Sequence, residues 1–515
     1  MPWSSPGRGV NLTAINDRTI TPPVAGQPQS APSERGIPWV PALGGFAAMT
    51  LILFGAVLPS SPFSTKLAGA WFFGIPSHGT SQGGLWFSLL LVYGGTVVLL
   101  GCWLDLVRRA GTHTLRQLFA VAGMWVVPLL AAPPLLSRDA YAYGAEGQLV
   151  RAGFNPYSQT LLAHRASVFF RLSDPLWRAA HAPYGPLFFD LARLNARVMG
   201  NNVTATLEGY RFLALVGLGL VAAAVPVLAR ACGQPVEPAV ALRVLNPLLL
   251  LYLIGGMHND ALMLGLLTAG VALATRHHPV SGIALCALAA DVKVPGALGV
   301  VFIGWMWAGP GVPVRQRVRM VSVAVALGAA AMASVSVASR LGWGWLTDLS
   351  TPGTVVSWLD PATAAGLALT HVCRALGLST GGASLVDTAR LGALALAAVV
   401  VLYLLVHVDT VGLPRALGWS LLSVVLLGPI VWPWYEAWGI TILAVAADRW
   451  SRIWTLALSV IACFATVPSG VSLSGGAMLA VIVILAVLAA MTVVVLRRTD
   501  PVAPSAVRVP PERTP

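Results

Sequence analysis

Charge is scarce in this 515-residue chain: 10% of its residues are Asp, Glu, Lys or Arg, and Lys66 and Lys293 are its only lysines. With 57% hydrophobic residues and a mean hydropathy of +0.77, it has too little polar surface to cover a water-soluble core, and soluble classes are excluded. Cysteine is equally sparse. Cys102, Cys232, Cys286, Cys373 and Cys463 stand singly, with no CxxC and no Cys/His spacing, so neither a disulfide framework nor a zinc site is expected. No GxGxxG and no P-loop occurs, and no polar region is large enough to hold a nucleotide sugar. No cofactor is expected.

What is there is apolar and blocked. The apolar residues fall in runs of roughly 15 to 25, the length that crosses a hydrocarbon core of about 30 Å. The candidate spans are 37–58, 86–108, 116–136, 206–229, 239–255, 260–275, 279–292, 295–309, 319–338, 386–406, 415–432, 437–447, 453–468 and 474–496. They predict an all-α, polytopic transmembrane helical bundle of about fourteen spans over a domain at 37–498. Residues 1–36 and 499–515, rich in Pro and small polar residues, read as disordered tails.

The net charge of +13 does not indicate nucleic acid, because the arginines sit in short clusters between apolar runs and form no continuous stripe. Placing both termini in the cytoplasm puts Arg108, Arg109, Arg116, Arg230, Arg276, Arg315, Arg317, Arg319, Arg415, Arg449, Arg452, Arg497 and Arg498 on the inside. The opposite face then receives 137–205, the turn Gly255 to Asp260, the Lys293 region, the loop 339–385 and WPWYEAW at 432–438. All the unusual chemistry falls on that face.

The stretch 137–205 is the longest polar excursion. A helix from Asp139 to Arg151 places Asp139, Tyr143 and Glu146 on one face. Residues 186–199 form an amphipathic helix, apolar through Leu187, Phe188, Leu191 and Leu194, which suits the membrane surface. A carboxylate at the end of a span, beside surface helices, can act as a general base between a lipid-borne donor and a water-side acceptor. The plain alternative for Asp139 is a helix cap or an ion pair with Arg138.

The run Ser137-Arg138-Asp139 with Tyr141, Tyr143, Gln148 and Gly153-Phe154-Asn155-Pro156-Tyr157, then Ala182-Pro183-Tyr184-Gly185-Pro186 and Gly200-Asn201-Asn202, resembles the actinobacterial polyprenol-phosphomannose-dependent α-1,6-mannosyltransferases. These belong to the glycosyltransferase C superfamily. The runs at 246–270, 342–347 and 432–438 are similar to the same family, and the resemblance spans roughly residues 40 to 498. It implies a bacterial inner-membrane enzyme with its acidic residue in the first large extracytoplasmic loop. The donor would be polyprenyl-phosphate-mannose, and the acceptor the α-1,6-mannan backbone of lipomannan and lipoarabinomannan. Many relatives in the superfamily carry two neighbouring acids there, whereas here Arg138 precedes a single Asp139 and the next acid is Glu146.

The implied reaction is an inverting displacement in which Asp139 takes the proton of the acceptor's 6-hydroxyl, with Glu146 as the second acid. Arg138, Lys293, Arg165, Arg171 and His181 are candidates for the donor phosphate. Lys293 has a plainer reading as a partner of Asp291 or as a snorkelling side chain. Sugar or lipid contacts are expected from Tyr141, Tyr143, Tyr184, His258, Asn259, Asp260, Trp343, Trp432, Trp434 and Tyr435. Asp260 also suits a helix cap, the aromatics suit an interfacial belt, and Glu436 suits a solvated charge. His258 and Asp260 are too few to argue a metal.

A transporter for a lipid-linked precursor would show two repeated halves with matching broken helices. None is evident, and 137–205 has no counterpart in the second half. A related transferase using another polyprenyl-phosphate sugar such as arabinose differs only in the family-specific runs.

Overall fold

A computed structural model describes residues 36–58, 61, 82–378, 384–446 and 448–465. The expected tails, apart from Gly36, and the expected span 474–496 with Arg497 and Arg498 lie outside the described residues. Among those described there is no strand. The first helices are α1 (Trp39–Val57), α2 (Gln82–Arg108) and α3 (Leu115–Val126), followed by α4 (Asp139–Arg151), α5 (Val168–Leu172), α6 (Pro175–Arg178) and α7 (Pro186–Met199). Next come α8 (Val203–Ala231), α9 (Val236–Arg243), α10 (Asp260–Thr275), α11 (Pro279–Val292), α12 (Ala297–Trp307) and α13 (Val314–Ser339). The rest are α14 (Pro361–Ala375), α15 (Leu385–Val406), α16 (Val408–Val411), α17 (Leu413–Leu426), α18 (Pro433–Leu443) and α19 (Arg449–Phe464).

Among the described residues five helices, α1, α2, α8, α13 and α15, are long and apolar enough to cross a membrane. A sixth crossing is available if the π-helical segment Leu249–Gly255 and α10, bent by 116° at the break between them, count as one. The single span expected over 239–255 is therefore a short α9, a break and a π-helical turn. Further apolar helices at Leu115–Ala131, Pro279–Val292, Val294–Trp307 and Leu413–Leu426 are shorter. The protein is an integral membrane protein, and its long helices put Val, Leu and Phe side chains on their outer surfaces as lipid-facing helices do.

Close helix crossings without large side chains position the site. On α8, a Cβ at Gly217 would lie 2.1 Å from the Ala261 carbonyl oxygen, and one at Gly265 of α10 would lie 2.5 Å from that of Gly217. Only glycines let these backbones meet, as in membrane helix pairs generally. The polar ends are pinned by capping: Thr114 and Gln117 form a capping box at α3, and Asn202 accepts the Ala205 N–H at α8.

Candidate active site

Asp139 is the first residue of α4, and the chain leading to it is held from two sides. Arg211 of α8, buried, donates to the carbonyls of Leu130 and Ala132, while the Leu135 N–H donates to Gly255 at 2.9 Å. The turn itself is tight: Leu136 has a φ of 62°, and across the site Met257, next to His258, has 57°. Both are left-handed conformations that cost a non-glycine residue on the order of 1 kcal/mol. Strain thus flanks Asp139 and His258 alike.

These constraints place Asp139 Oδ2 3.6 Å from His258 Nδ1. The Asp139 N–H donates to Ser137 Oγ at 3.1 Å, and the Ser137 and Trp177 side chains stand beside the carboxylate and favour its ionised form. The His258 ring, fully buried, stacks on Trp434 with centroids 4.1 Å apart, and Trp434 stacks on Trp432 at 5.1 Å. Neither ring nitrogen of His258 has a hydrogen-bond partner. Asn259, next along, accepts the Tyr143 hydroxyl at 3.4 Å.

Behind this layer lies a buried ion pair. Lys293 Nζ stands 2.9 Å and 3.0 Å from the two oxygens of Asp260, and Trp438 Nε1 donates to Asp260 at 2.6 Å. The ammonium also faces the rings of Tyr435 at 4.2 Å, Trp438 at 5.4 Å and Tyr184 at 5.8 Å. Lys293 therefore pairs with Asp260 and not with Asp291, whose carboxyl oxygens have no partner. The reason is local: Lys293 has extended backbone (φ −157°, ψ 128°) at the end of α11, which swings its side chain away from the preceding turn. The approach of 182–185 is equally close, since a Cβ at Gly185 would lie 2.2 Å from the Asp291 carbonyl oxygen. That contact brings Tyr184 to Lys293.

Two cavities meet at Asp139. The smaller is lined by Glu146, His181, Tyr184, Thr351 and Tyr435 among others. The larger, of about 390 Å³, is lined by Arg138, Asp360, Glu436, Trp434 and apolar side chains including Leu359 and Ile430. Asp139, Trp177 and Trp432 belong to both. Burial pushes the Asp139 carboxyl up to about 6, with Lys293 pulling the other way and Asp260 adding to the rise. Burial also pushes Glu146, two turns further along α4, well above the ordinary carboxylate range, with Asp139 adding to it.

Of the residues picked from the sequence, Asp139, Glu146, Arg138, His181, Tyr184, Trp432, Trp434 and Tyr435 line these cavities. Tyr143, His258, Asn259, Asp260 and Lys293 form the layer behind them. Arg165, Arg171, Tyr141 and Trp343 line neither cavity. Arg165 is exposed and donates to Leu162 in its own turn, Arg171 is exposed, Tyr141 is buried in the core, and Trp343 is half-exposed. Asp139 and Arg138 do not form an ion pair, and Asp260 does not cap α10. Glu436 is buried, not solvated. Sequence reasoning missed Trp177 and Asp360. The first sits in a four-residue helix whose start Asp174 and Pro175 mark but which is too short to show a periodicity, and the second is an ordinary-looking Asp before a Pro.

The chain matches the family model described as Alpha-(1->6)-mannopyranosyltransferase, N-terminal domain, over residues 42–309, and an MptB C-terminal domain model over residues 362–497. It is 33% identical over 424 residues to Alpha-(1->6)-mannopyranosyltransferase A of Mycobacterium tuberculosis, covering 79% of this chain and 80% of the relative. To a probable alpha-(1->6)-mannopyranosyltransferase of Mycolicibacterium smegmatis it is 33% identical over 412 residues, 70% and 71% of the two chains. To Alpha-(1->6)-mannopyranosyltransferase B of Corynebacterium glutamicum it is 28% identical over 401 residues, 72% and 66%. No solved structure matches. With the family model covering more than half of its length, the chain belongs to the alpha-(1->6)-mannopyranosyltransferase family.

Proposed function

We propose that this enzyme moves mannose from polyprenyl-phosphate-mannose to the 6-hydroxyl of an α-1,6-mannan acceptor, as in building the backbone of lipomannan and lipoarabinomannan. The observation that carries the reading is the position of Asp139 where two cavities meet, so that one carboxylate faces both. The acceptor oxygen attacks the anomeric carbon, its proton goes to Asp139, and the bond from carbon to phosphate oxygen breaks with its electron pair leaving on the polyprenyl phosphate. A β-linked donor then gives an α-linked product.

Arg138 lines the larger cavity without an ion-pair partner and is the first candidate to balance the phosphate charge; His181 is the second. Lys293, already neutralised by Asp260, acts on Asp139 through space and not as a phosphate ligand. Glu146, protonated, serves as a neutral hydrogen-bonding acid in the smaller cavity. Tyr184, Trp432, Trp434 and Tyr435 supply faces for sugar or isoprene contact.

The active site faces away from the cytoplasm across the bacterial inner membrane, with both termini inside and the chain crossing about fourteen times, the shorter apolar helices included. Membranes carrying the protein, given radiolabelled polyprenyl-phosphate-mannose and a short α-1,6-mannoside, are expected to form a longer α-1,6-linked product. Transfer with polyprenyl-phosphate-arabinose in place of mannose, or no transfer at all, would sink the reading.

A further inference from the structure

Two buried carboxyl groups away from α4 are left unsatisfied beside the larger cavity. Asp360, 1% exposed, accepts the Val431 N–H at 2.7 Å through one oxygen, and its Oδ2 has no hydrogen-bond partner. Glu436, 6% exposed and in the first turn of α18, likewise has Oε2 without a partner. Both residues line the cavity of about 390 Å³, whose remaining wall is mainly apolar and carries Trp177, Trp432 and Trp434.

The Asp360 side of this wall is braced. Arg390 of α15, buried, donates to Thr363 Oγ1 at 3.0 Å, to the Gly353 carbonyl at 2.7 Å and to the Val355 carbonyl, while Thr363 Oγ1 donates to the Pro429 carbonyl at 3.3 Å. The loop before α14 is thereby fixed against the segment before α18. Asp360 is held in place by this frame, so its unpaired oxygen is a feature of the fold.

A buried polar atom without a partner is costly, and folded proteins rarely keep one. An isoprene chain alone would leave both oxygens unpaired. A pyranose ring offers hydroxyls to the carboxyls and an apolar C–H face to an indole, which is the combination this wall presents.

We infer that the larger cavity is a mannopyranosyl subsite in which Asp360 and Glu436 hydrogen-bond sugar hydroxyls and so help determine which sugar is accepted. The inference rests on the transferase reading above. The ring is either that of the donor mannose or the terminal unit of the acceptor, and kinetics distinguish the two.

The test uses the full chain in membranes, comparing the parent with Asp360→Asn, Glu436→Gln and Leu359→Trp, each with KM determined separately for polyprenyl-phosphate-mannose and for a short α-1,6-mannoside. Loss of one such hydrogen bond raises the KM for the sugar held there about tenfold or more, for the donor in one case and the acceptor in the other. Leu359→Trp fills the cavity without removing a polar group and gives the same rise, so the inference stays testable if a carboxyl variant fails to accumulate. Unchanged KM for both substrates in the variants that accumulate, Leu359→Trp among them, overturns the subsite while leaving the transferase reading intact. A parent that transfers no mannose overturns both.

Discussion

Asp139 and Glu146 share one face of α4, yet burial separates them chemically. Asp139, with Lys293 nearby, is held at about 6, so it is mostly ionised at neutral pH and protonated below. Burial pushes Glu146 well above its ordinary range, with Asp139 adding to the rise, which favours its protonated form. Because a base is active when deprotonated, kcat/KM for mannosyl transfer is expected to fall as pH drops through about 6. A pH series checks this; an acid limb at about 4, the ordinary aspartate range, would contradict it. The spacing of Asp139 and Glu146 was legible because a helix periodicity carries it. The partner of Lys293 was not: Asp291 is two residues away in sequence, but Asp260 and Trp438 come from other helices, and only the tertiary fold brings them in.

At the scale of elements, the break between the π-helical segment and α10 sets His258 and Asp260 at the site, and the α8–α10 crossing holds the break in place. The 116° bend falls after Gly255, where the sequence already divides two apolar runs; within 239–255 the apolar residues continue on both sides of Arg243, Asn246 and Pro247, which is why the end of α9 at Arg243 is hidden and the stretch reads as one span. The motif Gly255-Gly256 before His258 marks a break but not its angle. Gly265→Leu would force a side chain into the α8 backbone, and overpacking of this kind costs about 1–3 kcal/mol. A clearly lower melting temperature of the detergent-solubilised protein is expected. The Asp260–Lys293 pair predicts a different pattern. Lys293→Met leaves a buried carboxylate uncompensated and costs about 3–5 kcal/mol, whereas Lys293→Met with Asp260→Asn recovers much of that. Melting of the two variants decides it, and equal losses would refute the pairing as an energetic unit.

At the scale of the molecule, the helices α13 and α15 are the least buried of the five long apolar helices, so their outward faces are the broadest apolar surfaces among the described spans. Two of the arginines between apolar runs have acidic partners: Arg317 pairs with Asp409, and Arg415 with Asp448 at 2.9 Å. The cavity-lining segments 351–360 and 430–434 hold one another through the Asp360 bond to Val431. In a variant lacking the five native cysteines, a membrane-impermeant maleimide is expected to label Val356→Cys in intact cells and Thr112→Cys only after permeabilisation. The reverse order would invert the orientation. Apolar run length made the membrane class legible, while the count of crossings was not, because short helices and bent pairs satisfy the same composition.

The central claim is that Asp139 is the base of mannosyl transfer, and it is tested most directly by assaying Asp139→Asn beside Glu146→Gln at equal protein level in membranes. Loss of a general base costs about 10²–10⁴-fold, so Asp139→Asn is expected to fall by that factor. Glu146→Gln, replacing an acid whose burial favours the neutral form, should stay within about tenfold of the parent. Full activity in Asp139→Asn, or collapse in Glu146→Gln alone, would contradict the account.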